Sequence, residues 1–134
     1  MKIMVTGGSG FVGSHLCDEL LKENHEIIIL VRNDNKINNI AHILDKIRIE
    51  KIDTTDFKSL EESIEKNRPD IIFHLAGETS HKKSFENPLY DIETNSKSTL
   101  CILEKIKNLK LKCKFILGST FIVVGKPSKL PVDE

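Results

Sequence analysis

The stretch Thr6-Gly7-Gly8-Ser9-Gly10-Phe11-Val12-Gly13 concentrates glycine where a chain can hold phosphate. Gly7, Gly10 and Gly13 fall three apart, and Gly8, Gly10 and Gly13 also satisfy the GxGxxG spacing. Glycines so placed permit a tight turn, let backbone approach a pyrophosphate, and allow a helix to pack closely on a strand. A helix expected to begin at Phe11 adds the free amides of its first turn, those of Phe11 and Val12 among them, and the positive end of its dipole. The chemistry predicted is the cradling of a dinucleotide. Which dinucleotide turns on the end of the next apolar run, Ile28-Ile29-Leu30-Val31-Arg32-Asn33-Asp34. An acid there bonds the adenosine ribose hydroxyls, and a basic residue accommodates a 2′-phosphate. With Arg32 at that place the sequence leans toward NADP, while Asp34 keeps NAD open.

Other reactive residue types are dispersed. The three cysteines, Cys17, Cys101 and Cys113, form no CxxC pair, which suits a reducing compartment without a disulfide framework. The five histidines have no partners four residues away, so no metal site is expected. Lys+Arg and Asp+Glu balance at 20 each, which gives no reason to expect a nucleic acid or an acidic membrane as partner. Apolar runs reach only about five residues, far short of a membrane span. Met1-Lys2 leads straight into a strand pattern with no signal peptide. A cytoplasmic protein is the expectation.

The elements that must position the glycine turn alternate along the chain. Lys2 to Thr6 has a buried-strand pattern, and Phe11 to Glu23 reads as a helix with Val12, Leu16 and Leu20 at four-residue intervals. Strands are expected at Glu26 to Val31, Ile47 to Ile52, Asp70 to Leu75 and Lys114 to Leu117, with a short helix at Asn38 to Leu44. Asp56 to Lys66 is helical, with Asp56 as its cap and Leu60 and Ile64 inward. Ile92 to Lys107 is a long helix whose apolar stripe is Leu100, Leu103 and Ile106, and Phe121 to Pro131 is loop. Strands apolar on both faces, alternating with helices, predict an α/β fold: a Rossmann-type, doubly wound parallel sheet with five strands in three α/β/α layers. Its crevice should lie at the carboxyl ends of the strands.

With the glycine turn so placed, TGGSGFVGSHL resembles the TGxxGxxG loop of the extended short-chain dehydrogenase/reductases, the NAD-dependent epimerase/dehydratase family. The likeness continues through Asp53-Thr54, His74-Leu75-Ala76-Gly77, Asn87-Pro88, Asp91-Ile92-Glu93-Thr94-Asn95, and Gly118-Ser119-Thr120 through Gly125, with Val124 where a Tyr is usual. It implies that Asp53 and Thr54 contact adenine, that Leu75, Ala76 and Gly77 let ribose and pyrophosphate approach the backbone, and that Thr79 reaches the nicotinamide side. It also implies that Thr120 bonds the reacting oxygen of the substrate. Each residue has a plainer reading beside this one. Asp53 and Thr54 stand near a helix cap, Asn95 suits holding helix to strand, Thr120 suits a strand end, and His74 reads as a buried strand histidine. His81-Lys82-Lys83 sits in a loop that faces either the sugar or solvent.

In that family the base is a Tyr followed four residues later by a Lys. The only tyrosine here is Tyr90, with Thr94 four residues on. The family's pair comes well after the Ser/Thr position, so residues 1–134 read as an NAD(P)-binding domain that stops before the Tyr-x-x-x-Lys helix and the substrate-binding part. The resemblance implies oxidation of a hydroxyl on a nucleotide sugar, followed by epimerisation, dehydration or reduction, in a homodimer paired through the last long helix and the one after it. A non-catalytic dinucleotide-binding module and an NADP-dependent keto-reductase of the same superfamily are the alternatives.

Overall fold

The computed structural model describes residues 1–32, 37–120, 123, 125 and 126. Asp34, Val124 and most of the expected loop from Phe121 to Pro131 lie outside the described residues. The strands are β1 (Lys2–Thr6), β2 (Glu26–Val31), β3 (Arg48–Lys51), β4 (Ile71–His74) and β5 (Lys114–Leu117). They form one sheet in the order β3-β2-β1-β4-β5, every neighbouring pair parallel. The helices are α1 (Phe11–Lys22), α2 (Phe57–Asn67), α3 (His81–Glu86), α4 (Pro88–Ile92) and α5 (Ser98–Asn108), with a 3-10 turn at Asn38–Ile43 and a π turn at Glu93–Lys97.

Both faces of the sheet are dry because side chains alternate along each strand. Ile3, Val5, Ile27, Ile29 and Val31 point to one side, where Cys17 of α1 and Ile40 and Ile43 of the 3-10 turn cover them. Met4, Ile28, Leu30 and Ile72 point to the other, against Leu60 and Ile64 of α2 and Cys101 and Ile102 of α5. The expected doubly wound, three-layer fold is the one observed. Asp56 caps α2 as expected, its carboxylate accepting from the Ser59 amide at 3.2 Å. No helix among the described residues is long and apolar enough to cross a membrane.

From His81 onward the structure departs from the sequence reading. His81-Lys82-Lys83 opens the short helix α3, capped by the Ser80 hydroxyl, where a loop is expected. Of the stripe expected on the long helix, Ile106 packs against the core but Leu100 and Leu103 do not. Leu100 and Leu103 are 57% and 42% exposed, while Ser98, Cys101 and Ile102 are buried. The physical reason is Ser98, whose hydroxyl lies 3.0 Å from His74 Nε2 in the core and so turns positions 98, 101 and 102 inward.

Candidate functional site

Register brings the chemistry to one edge. Thr6 lies opposite Leu30 on one side and His74 on the other, His74 opposite Leu117, and Val31 opposite Lys51. The loops leaving all five strands therefore share the carboxyl edge, and the sheet order reverses direction between β1 and β4. A cleft of about 300 Å³ opens there. It is lined by Gly7, Ser9 and Gly10, by Val31 and Arg32, by Ile52, Asp53 and Thr54, by Leu75, Ala76, Gly77 and Glu78, and by Tyr90 and Thr94. A larger groove of about 780 Å³ runs between α1 and the 3-10 turn, lined by His15, Asp18, Lys22 and His42 among others. It shares none of the strand-end loops, so the smaller cleft is the candidate site.

The glycines of the turn have distinct duties. Gly7 has φ +70, and a Cβ on it would come within 2.7 Å of the Ala76 amide nitrogen. A Cβ on Gly13 would lie 2.3 Å from the Gly7 carbonyl oxygen. Both are glycine because the protein's own backbone passes there. Gly10 meets only the Gly7 oxygen, at 3.2 Å, and lines the cleft. It also precedes α1, whose first-turn amides have no partner within the helix. The side chains of Phe11 and Val12 are 77% and 64% exposed, and neither residue is part of the cleft lining.

A chain of hydrogen bonds fixes the opposite edge. The Ala76 amide donates to Thr6 Oγ1 (3.1 Å), Thr6 Oγ1 lies 2.7 Å from His74 Nδ1, and His74 Nε2 lies 3.0 Å from Ser98 Oγ. Ser98 Oγ in turn donates to the Thr94 carbonyl. Because Ser98 spends its proton on the Thr94 carbonyl, it accepts from His74 Nε2, which carries the ring proton, and Nδ1 accepts from the Thr6 hydroxyl. Burial pushes the His74 pKa down to about 4, so the ring is neutral near neutral pH. The plainer reading of His74 holds: it is a buried joint between β1, β4 and α5.

Asn95 also acts as a joint. Its Oδ1 accepts from the Glu78 amide (2.9 Å), and its Nδ2 donates to the Glu78 carbonyl and to Asp91 Oδ1 (3.1 Å each). A Cβ on Gly77 would lie 2.9 Å from that Asn95 oxygen, so Gly77 makes room for the clamp. Asn95 does not line the cleft, and Thr79 and Thr120 are exposed outside its lining. Asp53 does line it. Its Oδ1 accepts from the amide and hydroxyl of Thr55, while Oδ2 faces Arg32 Nε at 4.0 Å.

Three polar cleft residues beyond the glycine turn are not among the site residues expected from the sequence: Glu78, Tyr90 and Thr94. The Glu78 carboxylate is held below the ordinary carboxylate range chiefly by the Ser80 amide, with desolvation opposing and Lys83 and Arg32 adding. Tyr90 accepts a hydrogen bond from Arg32 Nη1. Thr94 is 6% exposed, and its Oγ1 is the buried side-chain polar atom without a hydrogen-bond partner among the described residues. A buried hydroxyl without a protein partner is one that a bound polar molecule would satisfy. Together with the open space at Gly10 it fits a polar, phosphate-bearing ligand such as a dinucleotide. The only advance signal was the position of Thr94 directly before Asn95. Among the described residues no group of three or more His, Cys, Asp or Glu is placed to hold a metal ion, and the three cysteines are free thiols.

The family model described as GDP-mannose 4,6 dehydratase matches residues 4–134. A UDP-glucose 4-epimerase of Mycoplasma pneumoniae is 32% identical over 134 residues, covering 99% of this chain and 40% of that protein. A dTDP-D-glucose 4,6-dehydratase of Dictyostelium discoideum is 41% identical over 130 residues, covering 92% of this chain and 30% of its own length. The solved UDP-glucose 4-epimerase of Bifidobacterium longum, in complex with NAD+ and UDP, superposes with a TM-score of 0.85 at 28% identity, over 100% of this chain and 41% of that one. The chain thus spans less than half the length of each of these relatives.

Proposed function

This chain belongs to the GDP-mannose 4,6-dehydratase family, and we propose that residues 1–134 are an NAD(P)-binding domain serving epimerase/dehydratase chemistry on a nucleotide sugar in the cytoplasm. The observation that carries the reading is the convergence, at the sheet's switch point, of Gly10, the free amides of α1, Asp53 and the unpartnered Thr94 hydroxyl. Gly10, Phe11 and Val12 present backbone to the pyrophosphate, with Gly7 and Gly13 shaping the turn. Asp53 Oδ2, 4.0 Å from Arg32 Nε, accepts from the adenine amino group, with Thr54 beside it. Leu75, Ala76 and Gly77 keep their backbone close to the ribose, and Thr79 follows on the nicotinamide side. Asn95 acts through Glu78, holding that loop in place. The bound dinucleotide supplies hydride acceptance and return. Thr120 offers its hydroxyl to the reacting oxygen of the sugar. Either dinucleotide fits the glycine turn, and Arg32, the source of the lean toward NADP, is the residue on which the choice depends.

Leu89, Ile92, Leu100 and Leu103, 73%, 49%, 57% and 42% exposed along α4 and α5, support pairing of two subunits in the full-length protein. Sedimentation of a Leu89→Glu, Leu100→Glu variant should show loss of the dimer. The dinucleotide reading is tested by titration calorimetry. Wild-type protein should bind NAD or NADP, and Gly10→Val should not bind either while remaining folded. A wild-type protein that binds neither sinks the proposal.

A further inference from the structure

Arg32 is the cation at the mouth of the cleft, and it is already engaged. It leaves the end of β2, yet its Nη1 donates to the hydroxyl of Tyr90, 58 residues away on α4. Its Nε lies 4.0 Å from Asp53 Oδ2, beyond the end of β3. Glu78, from the loop after β4, lines the same cleft as Arg32. Its own side chain is only 12% exposed and pairs with Lys83 Nζ at 3.4 Å. Three elements thus converge on one guanidinium across the crevice. Among the described residues of the cluster, the two cations Arg32 and Lys83 are matched in number by the two carboxylates Asp53 and Glu78.

That balance bears on the ligand. A phosphomonoester such as the 2′-phosphate of NADP carries about −1.5 to −2 charges near neutral pH. Entering this cluster, it would face two carboxylates as well as the guanidinium, and Arg32 would have to leave Tyr90 to meet it. A ribose hydroxyl is neutral and donates to a carboxylate without disturbing the cluster. Discrimination of this kind comes from a repulsive element as much as from an attractive one.

We propose that Tyr90 is a specificity-determining residue of the cleft, tethering Arg32 in a charge-balanced cluster with Asp53 and Glu78 so that the site takes NAD and resists the 2′-phosphate of NADP. The proposal rests on the dinucleotide reading of the cleft, and it reverses the preference that Arg32 suggests when read as an isolated cation. Tyr90 acts by positioning Arg32.

The test is titration calorimetry of NAD and NADP against the full-length protein, its Tyr90→Phe variant and its Glu78→Gln variant. Wild type should bind NAD about tenfold or more tightly than NADP, the discrimination expected of one misplaced charged contact. Tyr90→Phe frees Arg32 and should narrow that ratio severalfold through tighter NADP binding. Glu78→Gln removes one negative charge and should move the ratio in the same direction. Both ligands are read on one preparation, so a partly unfolded variant changes both affinities and leaves their ratio intact. NADP binding as tightly as NAD in wild type overturns the proposal, as does a ratio unchanged in both variants. Absence of binding by either dinucleotide in wild type overturns the dinucleotide reading itself, a result distinct from both.

Discussion

One wall of the cleft is built from backbone and the facing wall from side chains. The turn between β1 and α1 contributes glycines and amides. The wall formed by the end of β4, α4, the π turn and α5 contributes Glu78, Tyr90 and Thr94, held by Asn95 and by the His74 chain of hydrogen bonds. A backbone wall is rigid because its conformation is sterically compulsory, as at Gly7 with φ +70. A side-chain wall is rigid only while each hydrogen bond finds its partner. The first should therefore fail by steric clash and the second by lost pairing, and each failure has its own signature.

The largest effect is expected in the backbone wall. A Gly13→Ala substitution puts a carbon where the Gly7 oxygen is 2.3 Å away and the Gly8 Cα 2.7 Å away, with no side chain able to move aside. Urea denaturation should show a loss of about 3 kcal/mol or more, in the range of severe overpacking. Gly10→Ala should cost about 1 kcal/mol at most, because its nearest contact is a single oxygen at 3.2 Å. Equal losses of stability at the two positions would erase the distinction between a structural glycine and one that faces a ligand.

The side-chain wall has a pH signature. His74 titrates near 4 when folded and near its ordinary 6.5 when unfolded. Between those values the unfolded chain binds more protons, so stability falls as pH is lowered through that window and is complete above it. The full effect is on the order of 3 kcal/mol. Denaturation between pH 7 and pH 4 should reveal the slope, and His74→Gln should flatten it. A slope that survives in the variant would assign the acid sensitivity elsewhere.

The same division explains what could be read from the sequence. The glycine turn, the strands and the sheet's double winding are encoded locally, by spacing and by apolar runs such as Ile27 to Val31. Arg32 looked like a free cation because its partner Tyr90 lies 58 residues on, and no local pattern links them. On α5 the apolar pattern places Ile106 correctly but not Leu100 and Leu103, which are more apolar than Ser98 and yet face outward. The helix is oriented by one buried hydroxyl bonded to His74, and hydrophobicity does not report that. The π turn at Glu93–Lys97 was equally hidden. Its wide spacing lets Asn95 reach back to Glu78 while Ser98, three residues on, docks on His74.

The smallest effect sharpens the comparison most, because it separates binding from folding within the side-chain wall. Thr94→Val keeps the shape of the side chain and removes a hydroxyl that is buried without a partner. In the unliganded protein that removal relieves a desolvated polar group, so stability should rise by up to about 1 kcal/mol. If the hydroxyl meets the dinucleotide, the same substitution weakens binding by about fivefold to tenfold, the worth of one neutral hydrogen bond. Thermal denaturation and calorimetry on one preparation should therefore move in opposite directions. A Thr94→Val protein that is less stable than wild type would mean that the hydroxyl has a partner in the free protein. One that binds dinucleotide unchanged would mean that the ligand passes Thr94 by.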